Sequence, residues 1–228
     1  MEHTNSKAGM IIGIIVALVI GMGGGYAIGK SMQSNDNTSM SQDTKTTINK
    51  TGELNVALDG LLREHVTTSL AVTRTIVDGG STEKLAGAEA AQTANAVNIA
   101  KAVGSIYGED AQKAITTPFV EHITNSNNYA KAVAANDASA KEMSLTALRT
   151  NLRQVADVFN SVIPSVSSDA LYEALNAHET LLNDSAEAYQ AGDYTKAYQL
   201  ESEALTQISG GATVLTNGIV ASKPDMYK

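Results

Sequence analysis

The sequence predicts an all-α fold: a six-helix bundle of three antiparallel helical hairpins behind an N-terminal transmembrane helix. Three observations predict it. From about residue 51, apolar residues recur at steps of three and four, and the period-2 alternation of strands is missing. Turn and cap residues interrupt this pattern five times, leaving short loops that make successive helices antiparallel. A histidine returns after 57 and then 56 residues, at His65, His122 and His178, so the repeat unit is one hairpin.

Residues 1–7 form a short polar head. Ala8 to Gly29 is uncharged and bracketed by Lys7 and Lys30, and about 20 apolar residues span a bilayer as a helix. The expectation is a retained anchor with the C-terminal domain outside the cell membrane. The alternative is secretion after cleavage, because the strongest apolar run, Met10 to Met22, has the length of a signal-peptide core. Gly21, Gly25 and Gly29 make two overlapping GxxxG steps, which would let two anchors pack as a homodimer; glycine is also simply common in membrane helices. Residues 30–50 are rich in Ser, Thr, Asn and Asp and form a flexible linker.

Residues 51–220 form the bundle, followed by a tail, 221–228. The first helix, near 51–78, carries Leu54, Leu58, Leu61, Leu62, Val66 and Leu70. The turn "DGGS" ends it, with Ser81 or Thr82 capping a second helix that runs to about 105. "YGED" at 107–110 turns into a third, 109–134, containing Pro118, which frees a backbone carbonyl near Ala114. Ser139 and Glu142 suggest a capping box for the fourth, which ends near Val162. "IPSVSSD" offers Ser168 or Asp169 as the cap of the fifth, 169–190. Asp193 caps a sixth that reaches about 219 and is weakened by Gly210-Gly211.

Composition excludes several functions. The chain of 228 residues has no Cys, hence no disulfide or thiolate chemistry, and its net charge of -8 argues against nucleic acid. There is no Walker loop, GxGxxG, GxSxG or HExxH. Asp157, Glu187, Glu201 and Glu203 read as solvated charges, and an enzymatic role lacks an evident general base. His3 lies in the polar head.

"EHVTTS" at 64–69 returns as "EHITNS" at 121–126, and the third histidine stands in "NAHETLL". All three fall at similar depths in the three odd-numbered helices, which run in one direction, so they can form a layer. Asn95, Asn151 and Gln207 are spaced by 56 residues on the return helices and suit partners for the histidines. Ser69 and Ser126 lie one turn on and add polarity. Glu64, Glu121 and Glu179 adjoin the histidines, but one residue along a helix points about 100° away, which directs them off the inner face. Three imidazoles are a ligand set for Zn, Cu, Ni or Fe. The layer equally suits another small ligand, or a structural role setting helix register. The expected function is therefore a membrane-anchored extracytoplasmic binding or interaction domain; the alternative is a purely structural or assembly protein.

"EAYQAGDYTKAYQL" at 187–200 looks like the turn of a tetratricopeptide hairpin, but the repeat here is about 56 residues, not about 34. A broader resemblance covers about 54–220, through "LLREHVTTSLAVTRTIV", "NAVNIAKAVGSIYGEDAQKA", "FVEHITNS" and "LYEALNAHETL". These stretches resemble a family of small, uncharacterised bacterial all-helical proteins with three histidine-bearing hairpins of EH and YEHL type. The matching positions are His65, Arg74, Asn95, Tyr107, Gly108, His122, Asn151, Pro164 and His178. The chain departs in lacking Trp and in having Ala177 where an acidic residue usually stands. Some members carry an acetylglutamate kinase label; that chemistry needs an α/β sheet and phosphate loops, which this sequence does not offer. The resemblance implies the three-histidine layer without naming its purpose.

Overall fold

The computed structural model describes residues 49–228. Among the described residues there are six helices: α1 (Lys50–Val77), α2 (Thr82–Tyr107), α3 (Glu109–Ala134), α4 (Ala138–Val162), α5 (Ser168–Gln190) and α6 (Tyr194–Ser222), with a 3-10 turn at Pro224–Met226. There is no strand among the described residues. None of the described helices is long and apolar enough to cross a membrane. The expected anchor, with Gly21, Gly25 and Gly29, lies outside the described residues.

Caps fix the helix boundaries. Asn49 Oδ1 accepts from the Gly52 amide at 2.8 Å, and Ser81 Oγ accepts from Lys84. Gly108, at φ 99°, is the whole joint between α2 and α3, a conformation an L side chain rarely adopts. Asp193 caps α6 as expected, accepting from Lys196 at 3.1 Å. Two caps differ from expectation. Asp137 caps α4, accepting from Ala140 at 3.0 Å, because Asn136 at φ 52° turns the chain before Ser139. Ser167 caps α5, since Ser168 bonds to the Asp157 carboxylate and Asp169 pairs with Arg153 at 2.8 Å. α3 runs through Pro118 and α6 through Gly210-Gly211 without a break.

Helices α1, α3 and α5 pack against one another at the centre. Each outer helix bridges two of them: α2 lies against α1 and α3, α4 against α3 and α5, and α6 against α5 and α1. The three hairpins thus wrap one axis with threefold-like connectivity. Leu58, Val66, Ile99, Phe119, Ile123, Val155, Ile208 and Leu215 belong to a single core drawn from five helices, and Leu182 adds α5. Near its end, α6 approaches the α4–α5 connection so closely that a Cβ on Gly218 would press into Val166.

Candidate functional site

The inner helices bring the three expected histidines together. His65, His122 and His178 are 3%, 2% and 2% exposed. The His65 ring centroid lies 5.8 Å from His122 and 6.1 Å from His178, and Phe119 closes one side at 5.2 Å from His65.

The three return-helix amides are equally well ordered. Asn95 Nδ2 donates to the Leu61 carbonyl at 3.0 Å, Asn151 Nδ2 to Pro118 at 3.0 Å, and Gln207 Nε2 to Ala174 at 2.9 Å. In every hairpin the acceptor stands four residues before the histidine. Each amide thus ties its return helix to the inner helix one turn below the layer, and this is the structural form of the 56-residue repeat. Asn95 also donates to Glu64 at 2.9 Å. Asn95 is a side-chain hydrogen-bond partner of His65 and Gln207 of His178, whereas Oδ1 of Asn151 and Nδ1 of His122 are buried and unpaired.

Glu179 corrects the sequence reading. It is 3% exposed, and its Oε1 lies 3.3 Å from His122 Nε2. Glu179 faces the interior because it stands on the apolar stripe of α5; α5 is packed by four helices, just as α1 and α3 are. Glu64 is half-buried and Glu121 exposed, as expected. The signal for Glu179 was present: Leu171, Leu175, Leu182 and Ala186 stand eight and four before and three and seven after it, on its own helical stripe. Glu179 Oε2 lacks a hydrogen-bond partner, and Gln207 is the one side-chain partner of the His178 ring.

Charge states follow from burial. Burial, then repulsion from His122 and His178, pushes His65 down to about 3, against weaker upward pulls from Glu179 and Asn95. Burial also pushes His178 down, opposed by Glu179. For Glu179 burial acts upward, but His122, His178 and His65 together outweigh it and hold the carboxyl below its usual range. At neutral pH, His65 and His178 are therefore neutral imidazoles beside an ionised carboxylate. Those are the protonation states in which such groups bind metals.

One turn on, Ser69 accepts from Gln92 Nε2 at 3.1 Å, and Gln92 Oε1 accepts from Asn127 at 3.0 Å. This satisfied polar chain links α1, α2 and α3; Ser126 is half-buried. Among the acidic residues read as solvated, Asp157, Glu187 and Glu203 are exposed, but Glu201 is 7% exposed because Arg74 pairs with it. Arg74 also lies over the Tyr198 ring, at 5.0 Å. Tyr107 hydrogen-bonds Ser222, tying α2 to the end of α6.

Among the described residues, no three His, Cys, Asp or Glu side chains stand in ready metal-holding geometry. Three imidazoles on one tetrahedral ion at about 2.0–2.1 Å would bring ring centroids to about 5 Å. The separations of His65 from His122 and His178 exceed this by about 1 Å. Comparison with protein-family models, curated proteins and solved structures yields no match.

Proposed function

We propose that this chain is a binding domain that takes up a divalent transition-metal ion between His65, His122, His178 and Glu179. The observation that carries the reading is a set of buried donor atoms left short of partners: Glu179 Oε1 meets His122 Nε2 only at 3.3 Å, and Glu179 Oε2 and one His178 ring nitrogen have no partner, at 2–3% residue exposure. A buried polar group without a partner costs about 1–3 kcal/mol, more when charged. A layer serving packing alone would pair its own atoms, as Ser69, Gln92 and Asn127 do one turn away. An ion coordinated by Nε2 and carboxylate oxygen removes that cost, and the amide oxygens of Asn95, Asn151 and Gln207 would then take the Nδ1 protons. Nitrogen-rich donors favour Zn, Cu, Ni or Fe over Mg or Ca. The uncharged stretch from Ala8 to Gly29 supports display of the domain outside the cell membrane.

The 3.3 Å approach of Glu179 to His122 favours a second reading, in which the layer only sets helix register. Thermal melting of the untagged full chain with and without each ion separates the two. The metal reading expects a rise in Tm with one ion that disappears in His122→Leu. No rise with any ion, together with a His122→Leu protein as stable as the parent, overturns it.

A further inference from the structure

A second interior feature adjoins the histidine layer and is distinct in chemistry. It is a cavity of about 50 Å³ on the bundle axis, lined from all six helices. Leu62 and Ala174 stand three and four residues before His65 and His178, so the cavity lies about one turn along the axis from the histidines. Phe119 is shared: it lines the cavity and its ring lies 5.2 Å from that of His65. Ile99, Phe159, Ile208 and Leu215 are buried around it, and Gln207 is its one polar lining residue.

The cavity has a mouth. Its half-buried lining residues, Ala174, Leu175, Gln207 and Gly211, all belong to α5 and α6. Two of them are as small as residues can be, and a Cβ on Gly211 would meet nothing within 4 Å. A single side-chain hydrogen bond, Gln207 to the Ala174 carbonyl, spans this opening. Glycine in mid-helix costs about 1 kcal/mol relative to alanine, and here it leaves a gap over an apolar interior.

We infer that an uncharged apolar molecule of diatomic-gas size enters between α5 and α6, past Ala174 and Gly211, and lodges beside the histidine layer. Size and lining set the class. Apolar cavities stay dry, and one of roughly 150 Å³ admits benzene. At about 50 Å³ the space holds about two to four heavy atoms. Water is disfavoured because it needs two to four polar partners, and the lining provides one amide. The site does not require a metal, so its test stands apart from that of the metal reading.

The probe is xenon, applied under pressure to the full chain in chelator, with methyl NMR shifts as the readout. Saturable shifts are expected at Leu62, Ile99, Ile208 and Leu215. They should vanish in Gly211→Val, which places a side chain at the mouth, and persist in Gly210→Val, whose position is exposed one residue away. Ala174→Val obstructs the opposite lip and serves if Gly211→Val does not fold. Absence of saturable shifts, shifts spread over surface methyls, or shifts that survive the obstructions would overturn the inference.

Discussion

Acidification between pH 7.5 and 5.5 destabilises the metal-free protein through His65. The unfolded imidazole takes up a proton near its ordinary value of 6.5, whereas the buried one resists until about 3. Between those values the unfolded chain binds more protons, so stability falls as pH falls. At pH 7.5 the unfolded chain gains under about 0.1 kcal/mol from protonation at this site; at pH 5.5 it gains RT ln 11, about 1.4 kcal/mol. The result is insensitive to the folded value, because pH 5.5 lies well above it. His178, also pushed down by burial, acts in the same direction. The assay is urea unfolding followed by helical circular dichroism at both pH values, with chelator present and the slope against urea held as a check. The parent should lose at least about 1.4 kcal/mol, and His65→Leu should lose about 1.4 kcal/mol less than the parent. A parent whose stability is flat across the window, or a variant with the parent's full pH dependence, would refute the burial argument.

Other outcomes follow from particular contacts. Glu179→Gln should keep the fold and weaken metal affinity at least about tenfold by calorimetric titration; unchanged affinity would remove the carboxylate from the site. Asn151→Leu removes the side-chain hydrogen bond to the Pro118 carbonyl and should cost about 0.5–1.5 kcal/mol in urea unfolding. Gly218→Ala forces a methyl into Val166 and should destabilise by about 1–3 kcal/mol. Gly210→Ala, at an exposed helical position, should instead stabilise by about 0.8–1 kcal/mol, so Tm should move in opposite directions for these two glycines.

Much of the fold was legible because local signals coincide with the element ends. Glycine and acidic or serine caps mark all five connections, and the apolar steps of three and four give α1 and α5 their inward stripes. The histidine spacing could be read as a layer because each hairpin repeats one length. Legibility fails where tertiary packing decides. Glu179 was assigned outward on its angle from His178, but it stands on the stripe of Leu171, Leu175 and Leu182 and meets His122 at 3.3 Å. The same rule held for Glu121, which is exposed. The amides Asn95, Asn151 and Gln207 were matched to the histidine level by spacing, and they donate to backbone carbonyls one turn below, a register that spacing alone does not specify. The Ser69–Gln92–Asn127 chain was only half visible: Ser69 follows His65 by one turn and Asn127 recurs as Asn183, while Gln92 has no counterpart in the repeat. Burial of Glu201 depends on Arg74, 127 residues distant in sequence.

The central claim is that the buried histidines and Glu179 hold an ion. The most direct measurement is the metal content of the full chain, purified without a histidine tag and equilibrated in turn with Zn, Cu, Ni and Fe. The account predicts about one equivalent of one metal, lost when His65, His122 or His178 is replaced by alanine. Protein that retains no metal, or retains the same amount in all three variants, would contradict it.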